Sequence, residues 1–595
     1  LSEYRAPLAD IDFALRHIAG IDRISKLNGF QHADLESIKA VLAEAARFFS
    51  EVIAPTNRIG DQVGSVLDEQ GAIRTPPGFK EAYKKYVEAG WAGVHIAEEW
   101  GGGGFPYSVG LALQEMFKAS NMAFSLCPLL THASIESLIA HGSPEQRATY
   151  LEKLVTGEWT GTMCLTEPQA GSDVGEIITK AVPQDDGSYR IFGQKIFITW
   201  GDQDLTDNII HLVLARTPGS APGTKGISLF IVPKYLVGAD GGLGARNDYR
   251  IVSIEHKLGI HASPTCVVSF GDTGQGAVGY LVGEEQQGMK YMFTMMNTAR
   301  VGVGIEGLAI GEGAYQKAVS YAHERRQGKV IGSSSAEMAP IIEHPDVRRN
   351  LATMRAYNEA MRALLYLTAA SADLARHAET EEERATAANR LALLTPVAKA
   401  WCTDLGVEVA SLGIQVHGGM GFIEETGAAQ FYRDSRIAPI YEGTNGIQAM
   451  DLVMRKLPLE GGAVVQALLM EIQATIAELP DPLGEVREAL SGGLTALATA
   501  TAYLGERLRT GAYDDALAGA TPYLRMMGTV LGGWLLARGA LIAAREAEID
   551  GADRDFLTAK IATARFYATQ ILPQAAGLGS AITTGAEVVM AVSTS

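Results

Sequence analysis

The segment Ile440-Tyr441-Glu442-Gly443-Thr444-Asn445-Gly446-Ile447-Gln448 places one carboxylate between an apolar approach and a polar, glycine-containing turn. Apolar surroundings raise a carboxyl pKa and a turn fixes its angle, so Glu442 is a candidate base for removing a proton from carbon. Competing chemistries find less support. The histidines include no H-E-x-x-H pair, and Cys127, Cys164, Cys266 and Cys402 form no paired metal motif, so no metal site is expected. Cys402 has no obvious histidine partner for thiol catalysis. Gly302-Val303-Gly304-Ile305-Glu306-Gly307 satisfies G-x-G-x-x-G, yet it follows a helical pattern from Met292 to Arg300. A dinucleotide fingerprint needs a strand there, so close helix packing through small residues is the better reading.

A base of this kind needs a large scaffold, and 595 residues allow three or four packed units. A hydrophobic content of 47% with 20% charged residues suits a globular chain, and a net charge of -18 argues against a broad nucleic-acid surface. An anionic ligand remains compatible, because a few Arg or Lys side chains or helix N-termini can hold phosphates. Widely spaced cysteines suggest reduced thiols and a cytoplasmic location. No signal peptide is visible, since Glu3, Arg5 and Asp10 interrupt the first residues. The apolar stretches Ile571 to Leu578 and Leu531 to Ala543 are short or punctuated, so no transmembrane segment is expected.

Hydrophobic periodicity divides the chain into an α+β multidomain arrangement. Residues 1–160 form a helical unit: Leu35, Ile38, Val41, Leu42, Ala45, Ala46 and Phe49 recur at helical spacing, with Pro55 as the expected stop. A second helix is expected from Pro77 toward Ala89, and further ones at Val109 to Phe117 and around Ile135 to Leu138. Residues 161–282 carry short strand-like runs, among them Tyr189 to Gly193, Lys195 to Thr199, His211 to Ala215, Ile227 to Val232 and Thr265 to Phe270. With no crossover helices between them, a small antiparallel sheet or barrel is expected. Residues 283–457 return to long helices, Met289 to Ala322, Val347 to His377 and Arg384 to Leu412, which suit a bundle carrying the Glu442 loop. Residues 458–595 add a helical unit with candidate helices near 463–478, 494–509, 521–547 and 554–571.

Cys164-Leu165-Thr166-Glu167-Pro168-Gln169-Ala170-Gly171-Ser172-Asp173 offers turn N–H groups and two hydroxyls. These suit a carbonyl-rich ring such as a flavin, or simply a domain-linking turn with Ser and Asp caps. This segment, Lys195-Ile196-Phe197-Ile198-Thr199, Gln415 to Phe422, Phe431-Tyr432-Arg433-Asp434 and the Glu442 loop together resemble the acyl-CoA dehydrogenase family in order and spacing, over about 160 to 450. The resemblance implies FAD as cofactor and an acyl-CoA thioester as substrate. It implies that Glu442 takes the α proton while its main-chain N–H helps polarise the thioester carbonyl.

Further roles follow from the same resemblance. Arg300 matches an arginine near the catalytic carboxylate, with a surface ion pair as its alternative. Some relatives carry the base just before that arginine, where this chain has Ala299. Thr166, Ser172 and Thr199 match flavin-loop positions, and Phe197 stands where many relatives have tryptophan, keeping an aromatic wall but no indole N–H. Arg325 resembles an arginine that reaches the FAD pyrophosphate across a subunit boundary, or is a solvated helix end. Gln415, Gly418 and Gly419 match a segment approaching FAD from a neighbouring subunit, and Thr444 a contact just after the base. The chain departs from the family at Gly446 and Gln169 and lacks Thr-Phe before Gly328. Glu98 and Glu99 are expected to be solvated or structural. Arg246, Arg250 and Lys257 are equally compatible with CoA phosphates and with an ordinary charged surface.

The reading is FAD-dependent α,β-dehydrogenation of an acyl-CoA thioester to a trans-2-enoyl-CoA, with electrons passed to electron-transfer flavoprotein. The C-terminal helical extension resembles the larger bacterial branch, which includes 3-methylmercaptopropionyl-CoA and long-chain dehydrogenases, and implies a homodimer. Alternatives are 3-methylmercaptopropionyl-CoA as the specific substrate, an acyl-CoA oxidase, and a catalytically silent flavin-containing acyl-CoA-binding protein.

Overall fold

A computed structural model describes residues 4–332, 334 and 337–594. The helix Leu35–Phe48 begins where the Asp34 carboxylate accepts from Ser37 N–H at 2.8 Å. Pro55 does not end it. The helix runs into a π-turn, Phe49–Ile53, and Pro55 opens the next helix, Pro55–Val63, where a missing N–H costs nothing. The expected helix near Pro77 to Ala89 spans Phe79–Glu88, and two later helices, Tyr107–Ser120 and Met122–His141, are longer than periodicity indicates because both are buried nearly all round and so lack an amphipathic stripe. Met122–His141 and Ala520–Glu546 are long and apolar enough to cross a membrane. In each, 89% of the apolar window is buried inside the protein, which is how core helices pack.

An eight-stranded sheet follows. Its order is Tyr249–Ile254, Thr265–Phe270, Tyr189–Thr199, Ala277–Leu281, Ile227–Pro233, Asn208–Arg216, Trp159–Cys164, with Lys180–Pro183 bridging Tyr189–Thr199 and Asn208–Arg216. The sheet is mixed rather than wholly antiparallel. Trp159–Cys164 runs parallel to Asn208–Arg216, since the intervening chain loops through other strands before returning in the same direction. Tyr189 to Thr199 is one strand rather than two. Gly193 continues it at φ 150°, and a Cβ there would stand 2.5 Å from Thr179 Oγ1.

Three long helices, Gly288–Glu324, Pro345–His377 and Glu381–His417, form the bundle. The glycines of the nucleotide-like motif lie inside the first. A Cβ on Gly307 would sit 2.0 Å from the Cys402 carbonyl oxygen and one on Gly304 2.8 Å from that of Ala398, so they permit helix contact. A buried ion cluster ties the first two of these helices to Tyr107–Ser120. Arg362 meets Glu115 at 2.6 Å and Glu312 at 3.1 Å, and Tyr366 donates to Glu115 at 2.8 Å.

The C-terminal helices Ala463–Glu478, Gly484–Arg509, Ala520–Glu546 and Arg554–Phe566 pack on this bundle. Gly528 lies on Trp401, and Arg525 pairs with Glu408 at 2.6 Å. Lys560 joins the N-terminal segment to the bundle by pairing with Asp10 and, at 3.3 Å, with Glu359. Removing Arg362 leaves two buried carboxylates uncompensated. Arg362→Leu is expected to lower unfolding stability by about 3–5 kcal/mol, read from the denaturant midpoint, and a change within 1 kcal/mol would contradict the role given to the cluster.

Candidate active site

The Glu442 loop enters the helix Asn445–Asp451, capped by the Thr444 hydroxyl, which accepts from Ile447 N–H at 3.2 Å. Two consecutive residues before the cap are left-handed, Glu442 at φ 57° and Gly443 at φ 84°. Glycine is required at 443, because a Cβ there would stand 2.7 Å from Gln448 Nε2. For glutamate the left-handed region costs about 1–2 kcal/mol, so surrounding contacts must hold it. Those contacts are specific. Buried Gln448 donates to the Gly443 carbonyl at 3.2 Å and approaches that of Glu442 at 3.5 Å. Lys399 donates to the Gly443 carbonyl at 2.9 Å and to Asn445 Oδ1 at 2.8 Å. Asn445 Nδ2 in turn donates to Asp404 at 2.7 Å, Thr403 Oγ1 at 3.0 Å and the Ala400 carbonyl at 3.1 Å. On the other side Tyr441 donates to Glu306 Oε2 at 2.6 Å, and Glu306 Oε1 faces Lys118 at 3.5 Å.

Burial raises the Glu442 carboxyl above its usual range, against the opposing fields of Lys399 and Arg300. Burial likewise pushes Glu306 up to about 7 and Lys399 down to about 8. Arg300 is brought to this loop and is not a surface ion pair. It is buried, its Nη1 lies 3.7 Å from Asp451 Oδ2, and its Nη2 stands 3.6 Å from where a Cβ on Gly443 would be. Ala299, one residue earlier, is fully buried and offers no proton acceptor.

The sheet supplies a second set of groups. The Thr166 carbonyl accepts from Ile196 N–H at 2.9 Å, tying the 164–173 segment to the strand Tyr189–Thr199. Pairing with Thr265–Phe270 slips between Ile198 and Lys195, a β-bulge that turns Phe197 to φ 58° and leaves the residue 59% exposed. Thr199 and Thr265 are paired at the strand end. Beneath the bulge Lys195 and Glu167 form a fully buried pair at 2.8 Å. Glu167 also accepts from Ile178 N–H at 2.7 Å and Thr179 N–H at 3.1 Å, and Lys195 donates to the Leu165 carbonyl at 2.9 Å. Gln169 bonds Glu167 at 2.8 Å, so the residue that departs from the family's glycine is accommodated within the turn. Ser172 is exposed on the same segment.

Other sequence-derived candidates lie elsewhere on the surface. Gln415, Gly418, Gly419 and Arg325 are exposed. Gly418 has φ 60° with open space around it, and Arg325 bonds Gln327 at 3.3 Å. Among the described residues, no hydrogen bond or ion pair joins these four to Glu442. Arg250 is paired with Asp272, Arg246 donates to the Tyr249 carbonyl at 2.7 Å and Lys257 to that of Ser263 at 2.9 Å, so all three have partners within the sheet domain. The Arg433-Asp434 motif is a clamp: Arg433 grips Asp61 at 2.6 Å and Glu424 at 2.9 Å, and Asp434 accepts from Ile260 N–H at 2.6 Å. Glu98 is exposed beside His32 at 3.7 Å. Sequence reasoning missed Lys399, Gln448, Glu306 and Lys118. Their signal was a lone polar or charged residue in an apolar helical run, as in Pro396-Val397-Ala398-Lys399-Ala400-Trp401.

Comparison with known proteins agrees with this geometry. Residues 36–158, 162–273 and 286–457 match the N-terminal, middle and C-terminal domains of acyl-CoA dehydrogenases, and 468–593 match an acetyl-CoA dehydrogenase C-terminal-like domain. The chain is 48% identical over 583 residues to 3-methylmercaptopropionyl-CoA dehydrogenase of Ruegeria pomeroyi, covering 98% of each. It is 35% identical to a butyryl-CoA dehydrogenase of Syntrophomonas wolfei, covering 98% of this chain and 97% of the relative. The acyl-CoA dehydrogenase of Bacillus anthracis complexed with FAD shares the fold, with a TM-score of 0.73, 21% identity, and coverage of 95% of this chain and 90% of that one. The chain therefore belongs to the acyl-CoA dehydrogenase family, as an FAD-dependent enzyme of its larger, C-terminally extended branch.

The residues present fit a flavin. An aromatic ring held out on a strained bulge presents a flat apolar face, beside neutral hydroxyls that suit a carbonyl-rich ring. Lys195→Met leaves Glu167 buried without its cation and loosens the turn that carries Thr166. FAD retention, read as flavin absorbance per protein after gel filtration and as Kd for added FAD, is expected to weaken roughly tenfold or more. Unchanged Kd would contradict the support role of this pair.

Proposed function

We propose that this chain oxidises 3-methylmercaptopropionyl-CoA to its trans-2-enoyl-CoA, with Glu442 as the α-proton base and electron-transfer flavoprotein as electron acceptor. The observation that carries the mechanism is the half-buried Glu442 carboxylate, raised in pKa and fixed by a left-handed backbone. An α proton beside a thioester is weakly acidic, and a carboxylate whose basicity is raised by burial is suited to taking it. As that proton leaves, negative charge moves onto the thioester oxygen, where the Glu442 main-chain N–H is the stabilising donor. Arg300 balances the second half of the step: its cation lowers the cost of a carboxylate at 442 without occupying the proton-accepting oxygens. FAD, when bound, supplies the acceptor for the β-hydrogen with its electron pair. Thr166, Ser172, Phe197, Thr199 and Thr444 would hold it from one subunit, and Arg325, Gln415, Gly418 and Gly419 would reach it from the partner of a homodimer. The exposed, unlinked positions of the latter four support that division.

The substrate reading rests on the 48% identity over nearly the whole length of both chains. Four free, buried cysteines support a cytoplasmic location.

Anaerobic mixing with a series of CoA thioesters tests the reading through flavin bleaching. 3-Methylmercaptopropionyl-CoA is expected to exceed long-chain thioesters by roughly tenfold or more in reduction rate at limiting concentration. Equal reduction by long-chain thioesters would overturn the substrate, and rapid peroxide formation in air without a carrier would overturn the acceptor. Glu442→Gln is expected to bind the thioester and lose bleaching by about 100-fold or more, and retained bleaching would remove the base.

A further inference from the structure

A glutamate in a left-handed turn is only as well placed as the atoms that hold the turn, and one buried cation holds it at two points. Lys399 rises from the middle of the helix Glu381–His417, fully buried, and its ammonium donates to the carbonyl of Gly443 and to Oδ1 of Asn445. The first contact lies one peptide beyond the base. The second fixes the first residue of the helix Asn445–Asp451. Asn445 is anchored to the same helix as Lys399, through Ala400, Thr403 and Asp404, so the turn is gripped from one rigid element at two points. Resting on the assignment of Glu442 as base, we infer that Lys399 is the positioning residue of that base: it sets the angle of the Glu442 side chain and main-chain N–H together, and its charge keeps the carboxylate ready to accept a proton.

A buried ammonium is a costly way to hold two oxygens, since a neutral donor could do so. The charge has work to do because three carboxylates face it. Glu306 acts on it from the helix Gly288–Glu324, Glu442 from the loop and Asp404 from its own helix, and the Arg300 cation opposes them. Lys118 and Tyr441 adjoin Glu306 on its far side. The cation thus favours the ionised form of Glu442, and burial alone would otherwise leave more of it protonated. Removing the charge must therefore move the base to higher pKa, and removing the donor must loosen the turn. These consequences separate in different variants.

The test uses the FAD-loaded, full-length enzyme with Lys399→Met and Lys399→Gln, alongside Glu442→Gln. Lys399→Met is expected to lower kcat about 100-fold with KM within about threefold, because misplacing a reacting group by an ångström costs on that order. It is also expected to shift the acid limb of the kcat/KM profile upward by about one pH unit. Lys399→Gln keeps donors without the charge, so it should recover part of kcat while retaining the shifted limb. A wild-type acid limb in both variants, or a kcat loss that only tracks lost FAD or lowered Tm, would overturn the inference. Glu442→Gln separates the two claims. If it still reduces flavin, the base assignment falls. If it is dead while Lys399→Met keeps wild-type kcat and acid limb, only the positioning role falls.

Discussion

Glu442 adopts φ 57°, a backbone state that an L-residue with a long side chain avoids at a cost of about 1–2 kcal/mol. The turn persists because it is over-determined. Gln448 and Lys399 take the carbonyl that follows it, Thr444 caps the next helix, and Tyr441 is tethered to Glu306 on the other side. The tethers come from three elements: the helix Asn445–Asp451 with its cap, the helix Glu381–His417 and the helix Gly288–Glu324. The bundle therefore has to be assembled before the carboxylate has a direction. The glycines that let those helices touch, Gly304 and Gly307 against Ala398 and Cys402, belong to the catalytic geometry as much as Glu442 does.

A second strained residue lies in the sheet domain. Phe197, at φ 58° on its bulge, is supported from below by the buried Lys195–Glu167 pair, which fastens the strand to the turn carrying Thr166. The two halves use one device. A backbone conformation that would relax in isolation is pinned by a buried lysine that donates to a main-chain carbonyl and faces a carboxylate. Strain held at two points, with a buried charge pair behind each, is how a rigid scaffold can present a base and a flat aromatic face in fixed orientations.

Much of this was legible in the sequence, and what was not has physical reasons. Glu442 stood out because glycine and threonine after a carboxylate specify a turn followed by a helix cap, and local chemistry is written locally. The long bundle helices were visible from periodicity, as was the C-terminal helix 463–478. The helices Tyr107–Ser120 and Met122–His141 were underestimated because full burial erases the amphipathic stripe. The parallel pairing of Trp159–Cys164 with Asn208–Arg216 was missed because strand direction is decided by chain path, which no short segment records. Lys399 and Glu306 were missed for a related reason: their partners lie 44 to 188 residues away in sequence. A single charge within an apolar helix signals a buried partner without saying which.

The most direct measurement of the central claim isolates proton abstraction from hydride transfer. With an acyl-CoA whose β-carbon carries no hydrogen, such as 3,3-dimethylbutyryl-CoA, oxidation cannot proceed, and exchange of the α-hydrogens with D₂O reports the base alone. The account predicts exchange by the FAD-loaded enzyme that rises with pH through the titration of Glu442, and a fall of about 100-fold or more in Glu442→Gln. Exchange at the wild-type rate in Glu442→Gln would contradict it.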